Sequence, residues 1–261
     1  MRSLSIAASG MLAQQTNVEV ISNNVANMNT TGYKRQRAEF QDMLYTAMER
    51  VGSASSAAGT IVPAGVEIGT GVKTSAIYRI AEQGNLQQTG NTYDLAINGR
   101  GYFRIQLPDG TDAFTRAGNF AVNAQGQIVT QDGYLVQPGI TVPGEALDIA
   151  INEQGQVQAS LAGQTTPQVI GQFELASFVN TAGLQALGDN LFAETAASGP
   201  ATTGTPGDVG FGRLQQRWVE SSNVNPVQEI SALIMAQRAY EMNSRVISAS
   251  DEMMQATSNL R

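Results

Sequence analysis

The chain contains no cysteine and no histidine in 261 residues. Without thiols it can form no disulfide, no thiolate metal site and no cysteine nucleophile. Without imidazoles it can build neither a Ser-His-Asp triad nor a histidine-ligated zinc site. Charge is scarce as well, at 14% of residues against about 25% in an average domain. Only Lys34 and Lys73 are lysines among 15 basic residues, and the net charge is −7. No basic stripe of the kind that nucleic acid requires is visible, so no nucleic-acid partner is expected. Aromatic residues make up only 6%. No apolar run approaches the ~20 residues of a membrane span. The small apolar residues near the start are interrupted by Gln14, Gln15, Asn17 and Glu19, which leaves no signal-peptide core and no expected cleaved signal.

Amides are what the chain has in quantity, with 24 Gln and 17 Asn. Low charge with abundant amides suits structural or interaction material better than an enzyme. Both ends read as helices. Leu4, Met11, Val18 and Val25 fall seven apart, and Ala7, Gln14, Ile21 and Met28 form a companion row. This coiled-coil-like seam predicts a helix over roughly 3–28, stopped by Asn29-Thr30-Thr31-Gly32. At the other end, Asn225-Pro226-Val227-Gln228 offers an N-cap, a proline at the first helical position and Gln at the third. From there Ala232, Ala239, Val246, Met253 and Leu260 form one apolar row, and Met235, Met242, Ala249 and Ala256 its partner. Leu233, Tyr240, Ile247 and Met254 add a third row. A stripe this wide must touch more than one neighbour.

The middle reads as antiparallel β-structure. Turn signals recur at Pro108-Asp109-Gly110, Asn123–Gly126, Asp132-Gly133 and Asn152–Gly155. They separate short β-rich runs such as Gly101–Leu107, Gln127–Thr130, Tyr134–Gln137 and Gln156–Leu161. Two small-residue stretches, Gly52–Thr60 and Ala196–Gly212, read as linkers or loops. The expected organisation is a helical segment over 1–35, a linker or extended segment over 36–75, a β domain with its return linker over 76–218, and a second helical segment over 219–261. The fold class is α+β.

Signals for chemistry are weak. Asn98-Gly99-Arg100-Gly101 lacks the Gly-Lys-Ser/Thr ending of a phosphate loop and precedes a strand, so it reads as a tight turn. The sparse carboxylates of the β region mostly sit at turns, and no Asp-x-Asp-x-Asp-Gly calcium loop occurs. No catalytic residue, metal ligand or cofactor is expected. Asn17, Asn23, Asn24 and Asn27, with Asn29 just beyond, crowd a predicted helix that asparagine disfavours. Either the helix end frays there, or amide hydrogen bonds to neighbouring chains offset that propensity cost.

Three ordered motifs carry a family resemblance. Ile21-Ser22-Asn23-Asn24-Val25-Ala26-Asn27-Met28-Asn29-Thr30-Thr31-Gly32-Tyr33-Lys34 resembles the N-terminal signature of flagellar rod and hook proteins. Ser221-Ser222-Asn223-Val224-Asn225-Pro226-Val227, with Gln237-Arg238-Ala239-Tyr240-Glu241 and Asn243-Ser244, resembles their C-terminal signature. Asp94–Phe103 and Phe114–Phe120 resemble their central β domain. Chain length and the single central domain are similar to the distal rod branch of that family, with the larger proximal rod branch as the alternative. The resemblance implies a structural subunit that polymerises helically into a hollow drive shaft crossing the periplasm and carrying torque to the hook. It also implies type III export without a cleaved signal. The partners it implies are further copies of the chain, proximal rod proteins, hook protein, the P- and L-ring proteins and a rod cap protein. The expected contact surface between subunits is Leu4, Met11, Val18, Ile21, Asn24, Val25, Met28, Leu233, Tyr240, Met242, Val246, Ile247, Met253, Met254 and Leu260. Two other classes stay open on residues alone, a periplasmic glycan-active enzyme and a monomeric β-domain binding module.

Overall fold

The computed structural model describes residues 2–49, 65–162 and 166–259. Two helices bracket the chain, α1 (Arg2–Ala26) and α2 (Pro226–Asn259). Asn225 caps α2 as its sequence predicts: its Oδ1 accepts the backbone N–H groups of Val227 at 3.1 Å and Gln228 at 3.4 Å. α1 ends one residue before the asparagine-rich turn. Thr30 N–H closes onto the Asn27 carbonyl, and Gly32 takes φ +70°. Gly52–Thr60 and Leu260 lie outside the described residues.

The chain forms two compact units that do not follow sequence order. The first gathers Met1–Val25, Gln36–Tyr78 and Asn225–Arg261; the second gathers Ala26–Arg35 and Arg79–Val224. In the first unit, the described residues of the 36–75 segment are mostly strand. β1 (Gln36–Asp42) pairs with β4 (Val72–Arg79), and β2 (Tyr45–Glu49) pairs antiparallel with β3 (Val66–Gly69). Hydrogen bonds from Met43 N–H to Gly71 O and from Thr70 N–H to Leu44 O join the two pairs into one long ribbon. Ser9 of α1 accepts the Val72 N–H at 3.2 Å and so ties the helix to that ribbon.

The second unit is an all-β body with its own core. Its early strands are β5 (Leu86–Gln88), β6 (Leu95–Asn98), β7 (Tyr102–Gln106) and β8 (Asp112–Thr115). Short pieces follow at β9 (Ala121–Val122), β10 (Ile128–Val129) and β11 (Leu135–Val136). A three-stranded meander comprises β12 (Ala146–Ile151), β13 (Gln156–Leu161) and β14 (Gln168–Gln172). Then come β15 (Leu175–Ser177), β16 (Gln185–Gly188), β17 (Leu191–Ala193), β18 (Thr202–Gly204), β19 (Arg213–Gln216) and β20 (Trp218–Glu220). The largest sheet runs β16-β17-β8-β7-β11-β10-β9, and β15 also pairs with β7.

β7 shows why the core forms where it does. Side chains alternate across a strand, so Phe103 and Ile105 enter the main cluster with Leu95, Ile97, Phe120 and Phe173. Tyr102 points the other way, into a second cluster with Phe114, Phe178 and Phe192. Phe103 meets Phe120 edge-on at 5.0 Å, and Phe114 meets Phe178 likewise at 4.8 Å. Two turns are built from one motif. In Asn123–Gln127 and in Asn152–Gln156, the Asn Oδ1 accepts the final Gln N–H at 2.8 Å, and the Asn amide donates to that Gln side chain at 3.1 Å.

Candidate functional site

The two helices of the first unit meet along a seam that is neither apolar nor large. Ser3 and Ser250 hydroxyls lie 3.3 Å apart, within hydrogen-bond distance. Gly10 faces Asn243 so closely that an added Cβ would stand 2.8 Å from the amide nitrogen. Asn24 donates to the Glu229 carboxylate at 3.1 Å. These contacts step by seven residues, or a multiple of seven, along each helix and run antiparallel. The same register puts Asn17 level with Ala236, which is only 2% exposed. One edge of α1 therefore reads Ser3, Gly10, Asn17, Asn24, and the facing edge of α2 reads Glu229, Ala236, Asn243, Ser250. Small residues let the helices approach, and polar partners meet across the seam at Ser3–Ser250 and Asn24–Glu229.

Asn24 does more than close the seam. Its Oδ1 accepts the Gln36 N–H and its Nδ2 donates to the Gln36 carbonyl, both at 2.8 Å. One amide thus joins α1, the start of β1 and α2, and it is 1% exposed. Ile21 is also buried in its own chain. Leu4, Met11, Val18, Val25, Leu233 and Ile247 are half-buried, while Met28, Tyr240, Met242, Val246, Met253 and Met254 are exposed.

The polar seam leaves much of the apolar surface of α2 outward. Met235 and Met242 each precede a seam residue and are rotated from it by ~100°. They are 69% and 61% exposed, and Met253 on the same flank is 62% exposed. Val227, Ile230, Ile234, Tyr240, Val246 and Met254 are exposed too. α2 has 34 residues against 25 in α1, and the register carries its final turns beyond the start of α1. Beside the seam, Gln15, Val18, Glu19, Gln237, Tyr240 and Glu241 line a groove of about 370 Å³.

The second unit holds a buried ionic centre that sequence reasoning missed. Glu220 Oε1 accepts the Lys34 ammonium at 2.5 Å and the Gly84 N–H at 2.8 Å. Glu220 Oε2 accepts Arg116 Nε at 2.5 Å. The rest of the Arg116 guanidinium donates to the carbonyls of Gly101, Gly99 and Ile97. The carbonyls in and beside the Asn98–Gly101 turn thus form a cradle for a guanidinium. Lys34 donates also to the Glu82 carbonyl at 2.7 Å. Burial alone would raise the Glu220 carboxyl, but the charges of Arg116 and Lys34 and their hydrogen bonds outweigh it and hold the pKa below its ordinary value. Burial lowers the Lys34 ammonium, although Glu220 pulls the other way. Among the described residues no cluster of three or more acidic side chains could hold a metal ion, and no helix is long and apolar enough to cross a membrane.

Three protein-family models match the chain. One described as flagella basal body rod protein matches residues 4–34. The flagellar hook protein FlgE/F/G D1 domain matches residues 96–159, and the flagellar basal body rod FlgEFG protein C-terminal model matches residues 215–260. A flagellar basal-body rod protein FlgG from Caulobacter vibrioides is 63% identical over 261 residues, covering 100% of both chains. The chain belongs to the FlgG flagellar basal-body rod protein family. A FlgG protein from Agrobacterium fabrum is 53% identical, covering 97% of each chain. A protein named FlgF from Mesorhizobium japonicum is 32% identical over 96% of this chain and 95% of its own. The family is one of structural rod proteins and not of enzymes. Each residue of the ionic centre lies in or beside a motif that carries this membership: Lys34 closes the N-terminal signature, Arg116 lies inside the Phe114–Phe120 motif, and Glu220 directly precedes the C-terminal signature.

Proposed function

We propose that the chain is a structural subunit of the flagellar distal rod that polymerises helically into a hollow shaft and carries torque across the periplasm to the hook. The exposed apolar flank of α2 carries this reading. Met235, Met242 and Met253 are more than half exposed in the single chain, and burying them against further copies recovers roughly 1.5–3 kcal/mol per side chain. A polar seam inside the chain with an apolar flank outside suits a subunit whose helices are completed by neighbours. A contact between unlike faces that does not close on itself generates a helical polymer. The proposed subunit contacts are Leu4, Met11, Val18, Val25, Met28, Leu233, Tyr240, Met242, Val246, Ile247, Met253 and Met254, with Leu260 continuing the row. Asn24 acts from inside, by setting how the helices pair, and Ile21 is buried within the single chain.

The higher identity to FlgG than to FlgF relatives favours the distal over the larger proximal rod position. The partners that go with it are the proximal rod proteins, the hook protein, the P- and L-ring proteins, the rod cap protein and the type III export apparatus. The site of action is the periplasm-spanning basal body, reached without a cleaved signal. Sedimentation followed by electron microscopy of the purified chain tests the proposal. The wild type should pellet as straight tubes and Met242→Asp should stay in the supernatant with its β unit folded. A wild type that remains monomeric at every concentration, together with full motility of cells carrying Met242→Asp, would sink it.

A further inference from the structure

The chain enters the second unit through residues 26–35, just after α1, and leaves it through 221–224, just before α2. Between these two passages lie the whole ribbon and the whole β core. Three bonds nevertheless join the entry to the exit directly. Gly32 N–H donates to the Glu220 carbonyl at 2.7 Å. Lys34 Nζ donates to Glu220 Oε1 at 2.5 Å. Arg35 N–H donates to Asn223 Oδ1 at 2.7 Å. The exit side is itself anchored, because Glu220 also holds Gly84 N–H and Arg116, and Asn223 donates to the carbonyls of Ile80 and Glu82, each at 3.0 Å.

We propose that these bonds form a mechanical short circuit: tension applied through the two helix-bearing ends of the chain crosses from residues 32–35 to residues 220–223 and bypasses both the ribbon and the β core. Bonds in parallel share a load, whereas the rungs of a hairpin pulled from its open end break one at a time. Lys34 is 5% exposed and Glu220 1%, so water cannot readily substitute for either partner while the bond is stretched. A charge-assisted hydrogen bond in such surroundings is among the stronger non-covalent links a protein can make. Gly32 belongs to the same device, because it lies flat against the Arg116–Ala117 backbone where a Cβ would approach within 2.7 Å of Ala117 N. A shaft subunit built this way keeps the ribbon and the β core out of the loaded path.

The inference rests on the reading of the chain as a torque-carrying subunit, but its test needs no polymer. The full chain is held by its two termini in an optical trap at constant tension. Once the helices have been drawn out, the wild type should dwell before a step of roughly 150 Å, the extended length of residues 36–78. Lys34→Met should shorten that dwell at least about tenfold, the scale set by one charged hydrogen bond. Asn223→Ala cuts one staple and leaves no buried charge unpaired, so it decides the matter if Lys34→Met does not fold; it should shorten the dwell by a smaller factor. Arg213→Met removes only the exposed pair with Glu153 and should leave the dwell unchanged. A step without a dwell in the wild type, or a dwell unaltered in both Lys34→Met and Asn223→Ala, overturns the short circuit and leaves the assembly proposal standing.

Discussion

At the scale of single residues, two glycines with similar backbone angles should respond very differently to the same change. Gly32 has φ +70° and Gly133 φ +87°, so alanine at either site costs about 1–2 kcal/mol of left-handed strain. Nothing lies within 4 Å of a Cβ at Gly133, whereas a Cβ at Gly32 would press on the Ala117 backbone at 2.7 Å. Backbone cannot swing aside as a side-chain tip can. Gly133→Ala should therefore destabilise the second unit by about 1–2 kcal/mol, and Gly32→Ala by clearly more. Urea unfolding followed by the fluorescence of Trp218, the single tryptophan, measures both; equal losses would mean that the close approach carries no energy. Residue identity alone made much of the local structure legible. The Asn225 cap, the stop at Gly32 and the Asn-x-Gln-Gly-Gln turns all rest on interactions within a few positions. The Lys34–Glu220–Arg116 centre does not, because its members lie 186 and 104 positions apart. The available hint was that Lys34 is one of only two lysines and sits among residues that end a helix.

At the scale of the element, the helical seam shows why the extent of α1 and α2 could be read from the sequence and their pairing could not. Seven-residue spacing is a property of one helix and survives in the sequence. The edge that faces the partner is set by which two faces fit, and Ser3, Gly10, Asn17 and Asn24 do not advertise themselves as a core. Much of the conspicuous apolar surface of α2 points outward instead. Likewise, the strand pairing inside residues 36–75, which read as a linker or extended segment, was not legible, because the partner of β1 is β4, too far along the chain for any turn signal to announce it. Replacing Ala236 with leucine tests the seam. Overpacking a tight contact costs typically 1–3 kcal/mol, so Ala236→Leu should lower the melting of the helices in far-ultraviolet circular dichroism. The Trp218 transition should stay where it is, since that residue belongs to the other unit. If both transitions moved together, the seam would not be the element's own source of stability.

At the scale of the molecule, the buried centre gives the stability of the β unit a one-sided dependence on pH. The Glu220 carboxyl sits below its ordinary value of 4.5 in the folded chain. As pH falls, the unfolded chain takes up that proton first. The stability contributed is complete above about 4.5 and is lost as pH drops through the folded value. Lys34 sits below its ordinary 10.5, so between the folded value and 10.5 the unfolded chain again binds more protons. Stability therefore rises with pH in both windows. Glu220→Gln should weaken the protein at neutral pH and flatten the acid limb of its unfolding curve. An acid limb as steep as in the wild type would place the responsible carboxylate elsewhere.

On the proposed assembly, the outward methionines give this cysteine-free protein a chemical weakness that depends on whether its subunits are docked. Met235, Met242, Met253 and Met254 stand open to solvent on one helix, and oxidation turns such a flexible apolar side chain into a polar, chiral sulfoxide. A free subunit met by peroxide would lose the apolar character of its flank before it could dock, while a docked subunit would shield the same sulfurs. Brief hydrogen peroxide treatment should consequently block incorporation when given to free chains and do little when given to finished tubes, with methionine sulfoxide reductase restoring the treated chains. Oxidative stress would then halt the growth of a rod without dismantling those already built.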